Sequence, residues 1–470
     1  MKSNRMLHLI NILLLLISFG FGIYFEAYSH IAICFVYVVA IEIMLLLTKN
    51  DHGICKFLIT LYIQIIGPID ILVVLVSPMS VTGVTYYGYL DLSENTDLLW
   101  QYCFHAIGFY YILMTSYYFM SYVLRLRIQK RRETYHIFES ADEININSRN
   151  MKIGVNLWAL ATLFSIIYYM TRITLNIDVA GKIPVIPLAG VIVYLFRFVK
   201  FFLIYRGIET LARSSKFSLS GFLSGVIYII ILNLSDILLD RRAPVFYCLI
   251  VFVFFLYVVK SEKTIMFIKN HKSITIGSII SVFVFFSVWT ESVRYGGTEA
   301  QLSVLYLLSR LVGLIPGLIG LNYMNNTYTV SPFSITDYLS NTFGSRSSSI
   351  NKVFTYDILH YSASAVHRSA IPLFIGSRFY ENYLGYVLFP LLFGIILSYA
   401  QKLTKQNKGV SLEQKDAGMN AFIGCYLTVY AVSAIMNGNG EQLIDLFTVP
   451  ILFIIYHTIS RRFLMSAIKL

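Results

Sequence analysis

The stretch HRSAIPLFIGSRFYENYLGYVLFPLLFG places four ionisable side chains directly before an apolar run. They are His367, Arg368, Arg378 and Glu381. A guanidinium binds phosphate through two parallel hydrogen bonds and stays charged beside lipid. An imidazole, which titrates near neutral pH, can act as a general base. The combination predicts a site for an anionic ligand at the membrane surface, with His367 either as its base or as an unengaged surface residue.

Further arginines fall in segments that we place on the outer side of the membrane. They are Arg241, Arg242, Arg294, Arg310 and Arg346. Each one singly is explained by interfacial anchoring or by an ion pair, for example of Arg241 or Arg242 with Asp240 or Asp236. Membrane proteins usually keep their excess of basic residues in cytoplasmic loops. Arginines on the outer side run against that bias, so the set as a whole favours an anionic ligand there.

Two arginines, Arg172 and Arg197, lie inside predicted membrane spans. A charge at the bilayer centre costs about 2.5–3.5 kcal/mol on insertion scales. Arg172 is close to an outer end and can reach the interface, whereas Arg197 needs a partner or a water-filled cavity. The candidate counter-charges are Glu42, Asp70 and Asp236. Structural pairing and a role in a site are both open for these arginines.

Other residue types add less. The carboxylates that could replace His367 as the base are Glu291, Glu299, Asp337, Glu381 and Glu441. Tyr380 belongs to a group of outer tyrosines that suit stacking against sugars. The acidic trio of Asp91, Glu94 and Asp97 is typical of a solvated turn, and no Walker loop, G-x-G-x-x-G, H-E-x-x-H or G-x-S-x-G motif occurs in a plausible context. We therefore predict neither a metal nor a cofactor.

These residues must be positioned by membrane helices. The 470-residue chain is 57% hydrophobic and 13% charged, against about 25% charged in soluble domains. Apolar runs long enough to cross a hydrocarbon core of about 30 Å recur along it. We predict an all-α, polytopic integral membrane protein with about twelve spans. They lie near 6–25, 30–48, 55–77, 102–124, 153–175, 183–205, 218–238, 244–260, 274–290, 383–401, 418–436 and 442–460.

The basic loops orient the spans. TKNDHGICK, RGIETLARSSK and QKLTKQNKG fall on one side, which places both termini in the cytoplasm. Most of the net charge of +12 lies in such loops, so we expect no nucleic-acid partner. Residues 291–382 form an outer loop of about 90 residues, rich in aromatic and aliphatic side chains. The predicted division is a bundle over 1–290, a mainly helical lid over 291–382, and the last spans with a cytoplasmic tail over 383–470.

Three segments carry a resemblance to a known family. LDRRAPVFYCLIVFVFF starts a mid-chain span with arginine, VLYLLSRLVGLIPGL puts an arginine early in the long loop, and SAIPLFIGSRFYENYLGYVLFPLLFGIIL closes that loop. With about twelve spans and one long late outer loop, the chain resembles the Wzy family of bacterial O-antigen and capsular polysaccharide repeat-unit polymerases. In the family a glycine usually precedes the mid-chain arginine, and this chain has Asp240 at that place. Either Arg241 or Arg242 can therefore be the equivalent of the family's arginine.

The resemblance implies a GT-C-like glycosyltransferase of the bacterial inner membrane with its active site facing the periplasm. Such an enzyme transfers a growing glycan from undecaprenyl diphosphate to an incoming lipid-linked repeat unit. It implies His367, Arg310 and Arg368 as catalytic residues. The residues expected to bind diphosphate or glycan are Arg241, Arg242, Arg378, Arg294, Glu381 and Tyr380. A Wzz-type chain-length regulator is an expected partner beside the lipid-linked substrate and membrane lipid.

Three other functions fit parts of the sequence. An O-antigen ligase has a related build and differs in its acceptor. A lipid-linked oligosaccharide flippase would explain Arg172 and Arg197, but it predicts internal symmetry and only short outer loops. A receptor-like or structural membrane protein would need no site at all.

Overall fold

The computed structural model describes about half of the chain. The described residues are 2–24, 26, 28–49, 51, 53–64, 96–131, 189–213, 219–234, 236, 242–259, 314–327, 371–380, 383–405, 415–437 and 446–456, with isolated positions within 155–167, 266–277 and 332–337. Within these residues there is no β-strand, and the isolated bridge between Phe333 and Tyr380 is the extent of β-pairing.

The longer helices of the described part are numbered α1 to α11. They are α1 (Lys2–Tyr24), α2 (Tyr28–Leu47), α3 (Ile54–Gln64), α4 (Thr96–Arg131), α5 (Ala189–Arg213), α6 (Leu219–Leu232), α7 (Arg242–Val259), α8 (Leu314–Thr327), α9 (Tyr383–Lys405), α10 (Lys415–Asn437) and α11 (Leu446–Tyr456). Segments of α1, α2, α9 and α10 are long and apolar enough to cross a membrane. The coarse prediction of an all-α membrane protein is confirmed; the count of twelve spans stays a prediction.

The α2 helix shows why the fold needs a bilayer. Its buried face repeats every three or four residues through Ile33, Tyr37 and Ile41, as in any packed helix. Its opposite face is also apolar, since Phe35 is 57% exposed and Leu46 is 61% exposed. A helix that is hydrophobic all round belongs in a core or in lipid. The exposed face of α2 therefore matches lipid as its surroundings.

One compact unit comprises Met1–Val123, Glu291–Gln401 and Ala431–Leu443. Within it α1 and α2 form an antiparallel pair, held by the Asn4 amide on the Lys49 carbonyl at 2.9 Å. Deeper in the pair, the Glu42 carboxylate lies 2.7 Å from His8 Nδ1 and accepts a 2.6 Å hydrogen bond from Asn11. Glu42, one of the candidate counter-charges for Arg172 and Arg197, is engaged by His8 and Asn11 of α1.

The other compact unit comprises Leu124–Thr290, Lys402–Tyr430 and Ile444–Leu470. Its polar centre is the Lys200 ammonium of α5, which contacts the Asp236 carboxylate at 2.6 Å and the Asn233 side-chain oxygen at 3.1 Å. Asp236 was expected to balance Arg197 or to pair with Arg241 or Arg242, and the structure pairs it with Lys200. Asp70, Arg172 and Arg241 lie outside the described residues.

Candidate functional site

Helices α4 and α9 pack side by side in the same direction. His105 of α4 pairs with Tyr386 of α9, Ser116 with Leu391, and Ser121 with Ser398. Residue numbers rise together along both helices, so the helices are parallel and their N-terminal ends lie at the same end of the unit. Side chains near the N-terminal end of α4 therefore lie close to side chains near the N-terminal end of α9.

Small residues let the two backbones approach. A Cβ atom added at Gly394 would lie 2.7 Å from the Leu113 carbonyl oxygen and 2.7 Å from the Ser116 Cβ. At Gly108 an added Cβ would collide with the Tyr386 hydroxyl. Small residues at contacts between membrane helices allow such close approach. Gly108 and Gly394 thus set the spacing of α4 and α9.

Residues 371–380, the exit turn, pack against α4 between Tyr102 and Phe109 and come shortly before α9 in the chain. A single helical turn over Leu373–Gly376 is followed by a 3-10 turn over Ser377–Phe379. Ile371, Leu373, Phe374 and Ile375 are fully buried, with Phe374 packed edge-on against Tyr102 of α4. The apolar side chains anchor the turn and hold its polar members in one position.

Gly385 joins the exit turn to α9. A Cβ at this position would meet the Tyr380 carbonyl oxygen and would lie 2.6 Å from the Ser377 carbonyl oxygen. Only a residue without a side chain lets the first turn of α9 pass this close to the preceding backbone. The direction in which α9 leaves the exit turn is fixed by this contact.

Arg378 is the charged member of the exit turn. Its Nη1 lies 3.0 Å from Nε2 of His105. A guanidinium only donates, so Nε2 accepts and the His105 proton sits on Nδ1. The Tyr386 hydroxyl donates to the His105 backbone carbonyl at 2.6 Å, and its ring packs edge-on against the imidazole. His105 therefore orients Arg378 by accepting a hydrogen bond as a neutral imidazole.

Helix α8 packs against the exit turn. A Cβ at Gly317 would lie 2.9 Å from the Tyr102 ring and 3.2 Å from Pro372, and one at Gly320 would lie 3.2 Å from Ile371. Helix α8 (Leu314–Thr327) thus lies within the predicted 291–382 loop and contacts its exit turn. Farther along the loop, Ser334 Oγ accepts a hydrogen bond from the Asp337 amide at 3.1 Å, as the first residue of a capped helical turn does.

The predicted site residues are described only in part. Arg378 lies in the exit turn, half-buried. Arg242 begins α7 in the other compact unit, and its side chain is outside the described part. The predicted residues outside the described ranges are His367, Arg310, Arg368, Arg241, Arg294 and Glu381. Their convergence stays a prediction.

Tyr380 has a different environment from the one expected. Its side chain is 1% exposed, and its ring packs against those of Phe333 and Phe389 at 5.6 and 6.1 Å. The backbone amide of Phe333 also donates to the Phe379 carbonyl at 3.1 Å. Because the Tyr380 ring faces the protein interior, it contributes packing rather than an open surface for a sugar.

The pattern of residue types did not single out His105. A signal was present in the sequence, because Gln101 and His105 lie four residues apart and share one face in the mainly apolar first half of α4. Among the described residues no three His, Cys, Asp or Glu side chains are grouped so as to hold a metal ion. Of the acidic trio predicted to form a solvated turn, Asp97 lies in the first turn of α4, and Asp91 and Glu94 are outside the described residues.

Comparisons of this chain with protein-family models, with characterised proteins and with solved structures find no match.

Proposed function

We propose that this protein polymerises lipid-linked oligosaccharide repeat units on the outer face of a bacterial inner membrane. In this reaction the growing glycan leaves undecaprenyl diphosphate and is transferred to a hydroxyl of the incoming lipid-linked unit. The bond between the glycan's anomeric carbon and the diphosphate breaks, a glycosidic bond forms, and the acceptor hydroxyl loses its proton. One observation carries the proposal: the Arg378 guanidinium is half-buried on an anchored turn, with neutral His105 as a hydrogen-bond acceptor.

The chemistry explains why a fixed guanidinium is useful. Negative charge grows on the diphosphate as the bond to the glycan breaks. A preorganised cation at that position stabilises the transition state more than a mobile one, because it needs no reorganisation during the reaction. The His105 imidazole holds the guanidinium in place by accepting its hydrogen bond at 3.0 Å. Arg378 is thus suited to hold the leaving group.

The direction of α4 and α9 supports the location. Basic-loop orientation places the N-terminal ends of both predicted spans, 102–124 and 383–401, on the outer side. Two spans that both run from the outer side to the inner side must be parallel, and α4 and α9 are parallel in the structure. The Arg378–His105 contact then lies at the outer membrane surface, the level at which a diphosphate with its isoprenoid tail in lipid must be held.

Further residues complete the proposed site. Arg310 and Arg368, with Arg241 or Arg242 and Arg294, share the diphosphate and the glycan with Arg378. Glu381 contributes to substrate binding, and His367 removes the proton from the acceptor hydroxyl. The partners are the lipid-linked oligosaccharide, the surrounding lipid and a Wzz-type chain-length regulator.

The test is a gene deletion followed by complementation, with surface polysaccharide separated on a gel. The deletion strain should show core carrying a single repeat unit, and the wild-type gene should restore the ladder. Arg378→Lys keeps the charge but loses the two-pronged fork, so it should shorten or thin the ladder at normal protein level. Arg378→Ala should do so further, since losing one charge-assisted contact of about 1.5–3 kcal/mol costs roughly ten- to a hundredfold.

Arg206→Lys is the matched control. Arg206 forms an ion pair with Glu209 at 2.7 Å within α5, on the part of the chain that basic-loop orientation assigns to the cytoplasmic side. This variant should give a wild-type ladder. Loss of every capped core in the deletion strain would indicate a ligase or flippase instead. A normal ladder from Arg378→Ala would remove Arg378 from the site.

A further inference from the structure

An amide pair lies one turn from the Arg378–His105 contact. Gln101 and His105 share a face of α4 and are four residues apart, which is about 6 Å along the helix axis. The Asn325 side-chain nitrogen of α8 donates to the Gln101 side-chain oxygen at 2.8 Å. Both side chains are exposed. The pair therefore sits towards the N-terminal end of α4, beyond the guanidinium.

The hydrogen bond uses one polar atom of each amide and leaves a donor on Gln101 and an acceptor on Asn325. A primary amide offers two N–H donors and an oxygen that accepts. The Gln101 nitrogen and the Asn325 oxygen have no other hydrogen-bond partner within the described residues. A donor and an acceptor held side by side match two neighbouring hydroxyl groups of a sugar, because each hydroxyl both donates and accepts.

An aromatic surface lies on the adjacent stripe of α4. Trp100 and Phe104 stack with ring centroids 5.6 Å apart, and Phe104 is 57% exposed. A large flat apolar ring beside directed polar groups is typical of sites that bind molecules with one apolar and one polar face. The C–H face of a pyranose ring has this character.

We infer that the Gln101–Asn325 pair, with Trp100 beside it, binds the sugar ring that is attached to the diphosphate of a lipid-linked substrate. The inference rests on the proposed function, because the diphosphate at Arg378 sets the depth of the ligand. With the isoprenoid chain in lipid and the diphosphate at Arg378, the first sugar extends outward. The amide pair lies about 6 Å in that direction along α4.

The Arg378–His105 contact and the Gln101–Asn325 pair would then bind different parts of the substrate. Arg378, oriented by His105, supplies affinity for any lipid diphosphate. The amide pair distinguishes one first sugar from another through the arrangement of its hydroxyl or acetamido groups. A change at Gln101 or Asn325 should therefore alter which lipid-linked sugar is bound and leave binding of the diphosphate itself intact.

Binding of short synthetic lipids to the purified full-length protein tests the inference. The probes are farnesyl diphosphate esters carrying glucose, galactose, N-acetylglucosamine or N-acetylgalactosamine. The methyl ester of farnesyl diphosphate has the same charge and no sugar, and serves as the reference. Isothermal titration calorimetry in detergent gives the Kd of each. The chain has three tryptophans, Trp100, Trp158 and Trp289. In a Trp158→Phe/Trp289→Phe variant Trp100 is the remaining one, so quenching of its fluorescence by a probe can be measured.

At least one sugar-bearing probe should bind about three- to tenfold more tightly than the methyl ester, the gain expected from one or two neutral hydrogen bonds. Gln101→Ala and Asn325→Ala should remove that gain and leave the Kd of the methyl ester unchanged. Asn326→Ala is the matched control, because the exposed Asn326 side chain bonds at 3.2 Å to Asn322 within α8. It should keep the gain. The same probe should quench Trp100.

The outcomes separate this inference from the proposed function. The sugar subsite is overturned if the gain in affinity from the sugar persists in both amide variants, or if no sugar adds affinity. In either case, binding of the methyl ester that depends on Arg378 still supports the proposed function. Methyl-ester binding that is absent, or that is unchanged by Arg378→Ala, overturns the proposed function and the sugar subsite together.

Discussion

The Ser116 hydroxyl of α4 donates a 2.8 Å hydrogen bond to the backbone carbonyl of Leu391 in α9. Gly394 lies at the same contact, where an added Cβ would be 2.8 Å from Ser116 Oγ. Hydrogen bonds between membrane helices and close approach at small residues are the main sources of helix association in lipid. This contact therefore determines whether the N-terminal ends of both helices, and the site they carry, remain together.

Gly394→Ala should destabilise the protein by about 1–3 kcal/mol, because the added methyl group overpacks a contact that has no room for it. Gly20→Ala is the matched control, since no atom lies within 4 Å of a Cβ at that position of α1. Thermal unfolding in detergent measures both. Equal melting temperatures for Gly394→Ala and the wild type would contradict the close packing of α4 and α9.

His105→Phe should lower polymer yield about tenfold, because it removes the acceptor that orients Arg378 and one charge-assisted hydrogen bond is worth about 1.5–3 kcal/mol. His105→Gln retains a side-chain oxygen that can accept from the guanidinium, so it should recover part of the ladder. A purely structural role would instead make both variants fail in proportion to their melting temperatures. The ladder and the melting temperature should be measured on the same preparations.

Lys200→Met should cost about 3–5 kcal/mol, because it removes the cation 2.6 Å from the Asp236 carboxylate within a mostly buried pair. The double variant Lys200→Met/Asp236→Leu removes both charges and should be milder than the single variant. The two are compared by thermal unfolding in detergent. A double variant less stable than Lys200→Met would show that Asp236 contributes more through other contacts than through Lys200.

The outer location of residues 291–382 can be tested by cysteine labelling. Ser347→Cys in the long loop should react with an impermeant maleimide in intact spheroplasts, and Lys408→Cys in a predicted inner loop should not. All five native cysteines are buried, so background labelling should be low. The reverse pattern would invert the topology and place the Arg378 turn on the cytoplasmic side.

Transfer activity should be independent of divalent metal, because arginines are proposed to balance the diphosphate charge. Purified protein should polymerise lipid-linked repeat units in excess EDTA at the rate seen with magnesium. Chelation that stops turnover, followed by recovery with magnesium or manganese, would favour Asp91, Glu94 and Asp97 as a metal site instead.

The sequence pattern predicts the helices far better than their contacts. Apolar runs predict α1, α2, α9 and α10 within a few residues, because length and hydropathy are local properties. The hydrogen bond between Arg378 and His105 joins residues 273 apart, and no local pattern specifies such a pair. Asp236 was recognised as a counter-charge, but its contact with Lys200 at 2.6 Å joins residues 36 apart, so no local pattern identified this partner.

The compact unit that holds Arg378 is assembled from three separate stretches of chain. The Ser116–Leu391 hydrogen bond spans 275 residues, which a ribosome making 5–20 residues per second takes roughly 15–55 s to synthesise. Through that interval the face of α4 that carries Gly108 and Ser116 cannot make its contacts with α9. Completion of this unit during biosynthesis is therefore delayed until α9 is inserted.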